Sequence, residues 1–156
     1  MDEDPLERIP LTFLLGLAFQ VMLSEFVSRL NEAGYADLRP MHGLAFQALR
    51  GPGITSSELA DRLGVTKQAA GQIVDDLEQR GYVRREAHPD GGRRRLVVLT
   101  DKAQRHLEVA GQVMYKLEAE LEANLRDEDV ARLRVNLAHI IRELVDESVP
   151  PLRPIW

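Results

Sequence analysis

Apolar residues occupy nearly every side of the segment from Leu11 to Leu30, whereas the segments after it sort into one-sided patterns. A helix that is apolar all round in a soluble chain must be enclosed by other elements or by a second subunit. Gly34 ends this first helix. Pro40 suits a first helical position, and Met41, Leu44, Ala45, Ala48 and Leu49 form an apolar stripe behind it, so a second helix is expected from Pro40 to Arg50. Gly51-Pro52-Gly53 stops that helix.

The clearest local signals follow. Thr55-Ser56-Ser57-Glu58 is a capping box, with Ile54 and Leu59 as its hydrophobic staple, so a helix begins at Ser56 and is cut short by Gly64. Thr66 caps another helix whose inward face is Ala70, Ile73, Val74 and Leu77 and whose end is Gly81. Two helices joined by a tight glycine turn make a helix-turn-helix unit. The period then changes to extended: Val83 to His88 and Arg94 to Leu99 flank the turn Pro89-Asp90-Gly91-Gly92, which predicts a β-hairpin.

A long helix starts at Thr100-Asp101 and a further one near Asp127. Leu107, Ala110, Met114, Leu117 and Leu121 step by 3, 4, 3 and 4, and so do Val130, Leu133, Leu137, Ile140 and Leu144. Each seam needs a partner helix. The two seams either pack on each other within one chain or, together with the first helix, build a two-fold dimer; the dimer buries this surface most economically.

Composition narrows the function. The 156 residues suffice for one folding unit, and 44% hydrophobic with 29% charged residues is ordinary for a globular chain. With no cysteine, a disulfide framework, a thiolate zinc site and a thiol switch are all excluded. The most apolar run, Thr12 to Leu23, is short for a bilayer span, and Asp2, Glu3, Asp4 and Glu7 do not fit a secretory leader, so no membrane partner and a cytoplasmic protein are expected. An excess of arginine over lysine, 17 to 3, points to a GC-rich bacterial genome.

A net charge of −5 argues against a nucleic-acid partner, but its distribution argues the reverse. Residues 1–50 and 101–156 each sum to −3, and residues 51–100 to +1; within these, Arg80 to Arg95 holds six arginines against Glu86 and Asp90. A local positive patch is what phosphate contact requires.

In a helix-turn-helix the second helix enters the major groove. Its outward face here offers Thr66, Lys67, Gln68, Gly71, Gln72 and Asp75; glutamine pairs with adenine, and lysine reaches guanine acceptors or phosphate. Gly71 marks either close backbone approach to DNA or helix crowding. Thr55, Ser56 and Ser57 put hydroxyls and amides at a helix N-terminus, where they cap the helix or hold a backbone phosphate as well. Arg93, Arg94 and Arg95 beside the hairpin turn either enter a neighbouring minor groove or only guard an exposed strand.

These residues carry a resemblance. The Leu38-to-Leu49 helix, Thr-Ser-Ser-Glu-Leu-Ala-Asp-Arg-Leu-Gly-Val-Thr from Thr55 to Thr66, Leu77-Glu78-Gln79-Arg80-Gly81-Tyr82-Val83, and the strand from Arg93 ending in Leu99-Thr100 together resemble the multiple-antibiotic-resistance regulator (MarR) family over nearly the whole chain. The resemblance implies a mainly α fold with a small β-wing: a winged helix-turn-helix at 38–100, and a helical dimerisation lobe from 11–33 and 101–147. It further implies a homodimer on a pseudo-palindromic double-stranded operator, most often as a repressor released by a small aromatic or phenolic effector. The family's wing carries an aspartate two residues before its key arginine; Gly91 holds that place here, with Asp90 one further away. A crevice between the dimerisation helices and the winged lobe would hold the effector. Phe13 and Leu17 on the first helix with His42 and Phe46 on the second are candidate liners, or else ordinary core.

No cofactor is expected. His139 and Glu143 share a helical face at metal-binding spacing, but none of the four histidines falls in a ligand motif, so a solvated polar face and no metal are expected. No phosphate loop, nucleophile elbow or metalloprotease pair occurs, so an enzyme is not expected. The alternative from another class is a winged helix that docks a protein rather than an operator. The tail from Val149 to Trp156 carries three prolines and cannot continue a helix, leaving it to wrap a partner subunit or to stay disordered.

Overall fold

The computed structural model describes residues 4–146 and 148–153, apart from the side chain of Asp127. A short 3-10 turn, Pro5–Arg8, precedes α1 (Leu11–Leu30), and a π-type turn broken at Gly34 (φ 99°) leads to α2 (Pro40–Ala48). Then come β1 (Ile54–Thr55), α3 (Ser56–Leu63), α4 (Lys67–Gln79), β2 (Val83–Ala87), β3 (Arg95–Leu99), α5 (Asp101–Asn124) and α6 (Asp127–Leu144). The fold is mainly α with a small three-stranded antiparallel sheet, in the order β1-β3-β2.

Local chemistry sets these boundaries. Thr55 Oγ1 accepts from Glu58 N at 3.2 Å while Glu58 Oε2 accepts from Thr55 N at 2.7 Å, closing the capping box at the start of α3. The backbone bond holds the Glu58 carboxyl below its usual range. Gly64, at φ 67°, ends α3 in the left-handed conformation, and Thr66 Oγ1 accepts from Ala69 N at 3.1 Å to start α4. Thr100 caps α5 in the same way and also donates through Oγ1 to Gly81 O at 2.7 Å, tying the end of the sheet to the end of α4.

The core lies beneath α2, α3, α4 and the sheet. Phe46, Leu49, Leu59, Val74, Leu77 and Val97 are wholly buried there, with Tyr82 and Val83 nearly so. Each such aliphatic or aromatic side chain contributes about 1.5–3 kcal/mol by leaving water. Arg62 Nη1 donates to Ala48 O at 2.7 Å and fastens α3 to the end of α2.

Two readings of the sequence need correction. The second helix stops at Ala48, not Arg50, because Gly51 and Gly53 adopt φ values of 101° and 91° that no helix continues. Ile54 and Thr55 also form a strand, paired with Val97 and Leu96, which two residues were too few to announce.

The long helices present a different surface. α1 packs on α5, where Arg29 forms a two-pronged bond to Glu120 at 2.9 and 2.6 Å. Yet Phe13, Val21 and Leu11 are more than half exposed, and Leu30 is the one residue of α1 that is buried. By length and composition α1 with the turn after it is apolar enough to cross a bilayer, although here it lies along α5. The α5 seam is covered at Leu117, but Met114 is 38% exposed, and on α6 Leu133 and Leu144 are 52% and 81% exposed. A single chain therefore leaves the seams of α1, α5 and α6 partly open.

Candidate nucleic-acid interface

The outward face of α4 is set by what its inward face buries. Ala70, Val74 and Leu77 are fully buried, which turns Lys67, Gln68 and Gln72 to solvent with Thr66 beside them at the cap. Gly71 lies between the two glutamines, and a Cβ built there meets nothing within 4 Å. Crowding between helices does not explain this glycine. Ser57 is exposed at the start of α3, Ser56 is partly so, and the Thr55 hydroxyl is engaged by Glu58 at 2.8 Å.

The hairpin is fastened to α4. Arg85 on β2 reaches Asp75 Oδ1 at 2.6 Å and also bonds Glu78, so the sheet and α4 keep one relative position. The Asp75 bond holds the Arg85 guanidinium above its usual range. At the tip, Gly91 and Gly92 take φ values of 76° and 80°, which a side chain rarely adopts. Asp90 faces Arg94 at 3.8 Å and His88 at 3.6 Å, so its bracing is directed to Arg94 and not to Arg93. Arg95 donates to Arg85 O at 3.2 Å, and Arg93, Arg94 and Arg95 are all exposed.

The basic patch is therefore narrower than the sequence suggests. Arg80 bonds Asp76 at 2.9 Å and Asp37 O at 2.8 Å, and Arg84 bonds Glu86 at 2.7 Å. With Arg85 also neutralised and Arg94 facing Asp90, the arginines of this stretch that pair with no carboxylate among the described residues are Arg93 and Arg95 at the wing. Sequence reasoning did not single out Arg85 as an anchor; its only signal is a half-buried position on a strand whose neighbours are exposed.

The four candidate liners separate. Phe13 and Leu17 border an open groove along α1 with Pro40 and Met41. His42 and Phe46 are buried in the core, His42 accepting from Arg39 N at 3.1 Å and facing Asp76 at 3.0 Å. Burial pushes the His42 imidazole below its usual value, with Asp76 opposing.

A cavity of about 240 Å³ lies elsewhere, between α1, the Gly34 turn, α2 and the first half of α5. Leu23, Val27, Leu30 and Leu107 line it with Tyr35 and His106. Sequence reasoning missed His106, although its place three residues after Ala103 and four before Ala110 puts it on the seam face of α5. The ring is packed by Tyr35, Phe46 and Tyr82 at centroid distances of 4.7, 5.2 and 6.2 Å, and burial lowers its pKa. His139 and Glu143 are exposed on α6, and among the described residues no group of three potential metal ligands gathers.

Comparison with known proteins agrees with this arrangement. Residues 36–94, which hold α2 to the hairpin turn, match the MarR family. An uncharacterized HTH-type transcriptional regulator, YwoH, of Bacillus subtilis strain 168 is 38% identical over 76 residues, 49% of this chain and 55% of that protein. The chain thus matches about half the length of this curated relative. The crystal structure of wild-type MarR from E. coli in its apo form is 27% identical and superposes with a TM-score of 0.70, covering 85% of this chain and 98% of that one. The S. aureus MepR–DNA complex gives a TM-score of 0.68 at 18% identity, over 87% of this chain and 99% of that one. A helix-turn-helix capped at Thr55 and Thr66 and a wing bound to it through Arg85 lie in the segment that matches the MarR family, and the fold from α1 to α6 is similar to that of E. coli MarR.

Proposed function

We propose that the chain is a dimeric transcriptional regulator that binds a pseudo-palindromic duplex operator, with α4 in the major groove and the wing arginines in the adjacent minor groove. The observation that carries this reading is a pair of exposed surfaces on linked elements: Lys67, Gln68 and Gln72 are exposed on α4 and Arg93–Arg95 at the wing, whose strand Arg85 ties to α4. Gly71 lets the helix backbone approach base edges closely. Gln68 and Gln72 read bases, Lys67 and the α3 N-terminus at Thr55–Ser57 meet phosphates, and Thr66 caps α4 beside them. A related fold is known as a DNA complex, that of S. aureus MepR.

The division of labour follows the earlier boundaries: 38–100 as the DNA-binding lobe, and 11–33 with 101–147 as the dimerisation lobe. The open apolar faces of α1, α5 and α6 supply the second part, since two-fold pairing covers all three at once. The cavity between the lobes is the site for a small aromatic or phenolic effector whose binding relieves repression. Tyr35 and His106 line it, while His42 and Phe46 are buried in the core. Such a regulator works in the cytoplasm.

Selection of bound fragments from random duplex DNA tests operator and function together. Two-fold-related half-sites about one helical turn apart are expected, because one dimer offers two copies of α4 to one face of the duplex. Enrichment of no sequence at all would favour a winged helix that docks a protein instead.

A further inference from the structure

The chain continues past α6 through Pro150 and Pro151 and returns to the body of the molecule, where Leu152 and Arg153 complete the lining of the cavity between α1, α2 and α5. Prolines at these places favour an extended path with little internal freedom. Leu152 remains 65% exposed, so it borders the cavity without filling it. A volume of about 240 Å³ is small beside the roughly 300–1,000 Å³ of typical ligand pockets, and the tail is the part of the lining that belongs to neither packed helical layer.

Arg153 does more than line the cavity. Its Nη2 donates to Asp61 O at 3.1 Å and its Nε to Arg62 O at 3.3 Å, the carbonyls at the end of α3. Its side chain also passes 3.0 Å from where a Cβ on Gly64 would sit, in the turn between α3 and α4. One side chain therefore touches both the cavity and the helix-turn-helix. Its partners there are neutral carbonyls, which a cation near a helix C-terminus meets favourably but weakly. Among the described residues no carboxylate pairs with it.

We propose that Arg153 couples the cavity to the helix-turn-helix: a small aromatic anion seated in the cavity draws the guanidinium off the Asp61 and Arg62 carbonyls and so releases the α3–α4 turn from the tail. A carboxylate offers the guanidinium two charged acceptors in a bidentate geometry where the Asp61 and Arg62 carbonyls are neutral, which sets the direction of the exchange. The aromatic body lies against Leu30, Tyr35 and Leu107, and its acidic head faces the rim where Arg39 and Arg153 stand. His106 Nδ1, buried and without a partner, supplies a second polar point in the wall. This inference rests on the reading of the cavity as the effector site, and not on DNA binding.

The test compares 1-naphthoate with its neutral isostere 1-naphthamide on the full chain, by titration calorimetry and by emission from Trp156, the single tryptophan. Naphthoate is expected to bind about tenfold more tightly, the worth of one charge-assisted bond. Arg153→Gln should cut that preference, leaving what Arg39 contributes, and lower naphthamide affinity far less than naphthoate affinity. Hydrogen exchange supplies a second readout: naphthoate and Arg153→Gln should each speed exchange at the Gly64 and Val65 amides, and their effects should not add. Two probes that bind equally well, or a preference undiminished by Arg153→Gln, would overturn the coupling while leaving the effector site intact. Binding of neither probe would overturn both.

Discussion

Arg85 on β2 and Asp75 on α4 are joined by an ion pair of 2.6 Å, and Glu78 one turn further along α4 shares the same guanidinium. One guanidinium thus links the wing to two carboxylates of the helix beside it.

That link predicts a separation of stability from binding. Arg85 is 27% exposed and its Asp75 partner 62%, so Arg85→Ala should cost no more than about 1 kcal/mol of stability, as exposed pairs do. Duplex affinity should nevertheless fall, because the wing loses its aim. In a double-mutant cycle with Arg93→Ala the losses in affinity should fail to add. Additive losses would mean that the two residues act independently.

Arg93→Ala alone should weaken duplex binding by about tenfold, in line with roughly 1–3 kcal/mol per arginine contact. Gln68→Ala and Gln72→Ala should relax base preference more than they lower affinity for unrelated sequence. Gel-shift titrations against specific and scrambled duplexes separate these outcomes, and three unchanged titrations would rule out the docking.

Much of this surface was legible because short-range chemistry writes it. The capping box at Thr55–Glu58, the Thr66 cap, and Gly64 and Gly81 act within a few residues, and the helices begin and end at them. The exposed face of α4 follows from the buried one by helical period alone. What could not be read depends on residues far apart in sequence. β1 needs β3, more than 40 positions away, to exist as a strand. His42 looks like a liner on its own helix, and only Asp76 and the core around Phe46 make it a buried structural group. The cavity draws on α1, α2, α5 and the tail, so no local pattern announces Tyr35, His106 or Arg153 as its wall.

The two buried imidazoles predict a pH dependence. Burial lowers both His42 and His106 from the ordinary 6.5, so the unfolded chain takes up protons that the folded one refuses. Their contribution to stability is complete above that value and is lost as pH falls through the folded values. Urea midpoints should hold steady from about pH 8.5 to 7.5 and drop between about pH 6.5 and 5.5, above the range in which Glu58 and Glu120, both held low, titrate. His106→Phe, which keeps an aromatic ring among Tyr35, Phe46 and Tyr82, should flatten part of the drop. Identical midpoints across the whole range would refute the assignment.

The open seams predict assembly. Val21 on α1 is 67% exposed and Leu133 on α6 52%, so a glutamate at either place should change the stability of one chain by no more than about 0.5 kcal/mol. In sedimentation velocity the wild type should run as a dimer, with Val21→Glu and Leu133→Glu shifted toward monomer and weakened on duplex DNA. A wild-type monomer would remove the two-fold operator from the account.

The most direct test is the salt dependence of affinity for a selected duplex, measured by fluorescence anisotropy with two chains per duplex. If the exposed face of α4 and the wing tip neutralise phosphates, the logarithm of the association constant should fall linearly with that of salt, by about 0.9 per phosphate engaged and by several units in all. A protein that binds no duplex in dilute buffer, or whose binding is indifferent to salt, would contradict it.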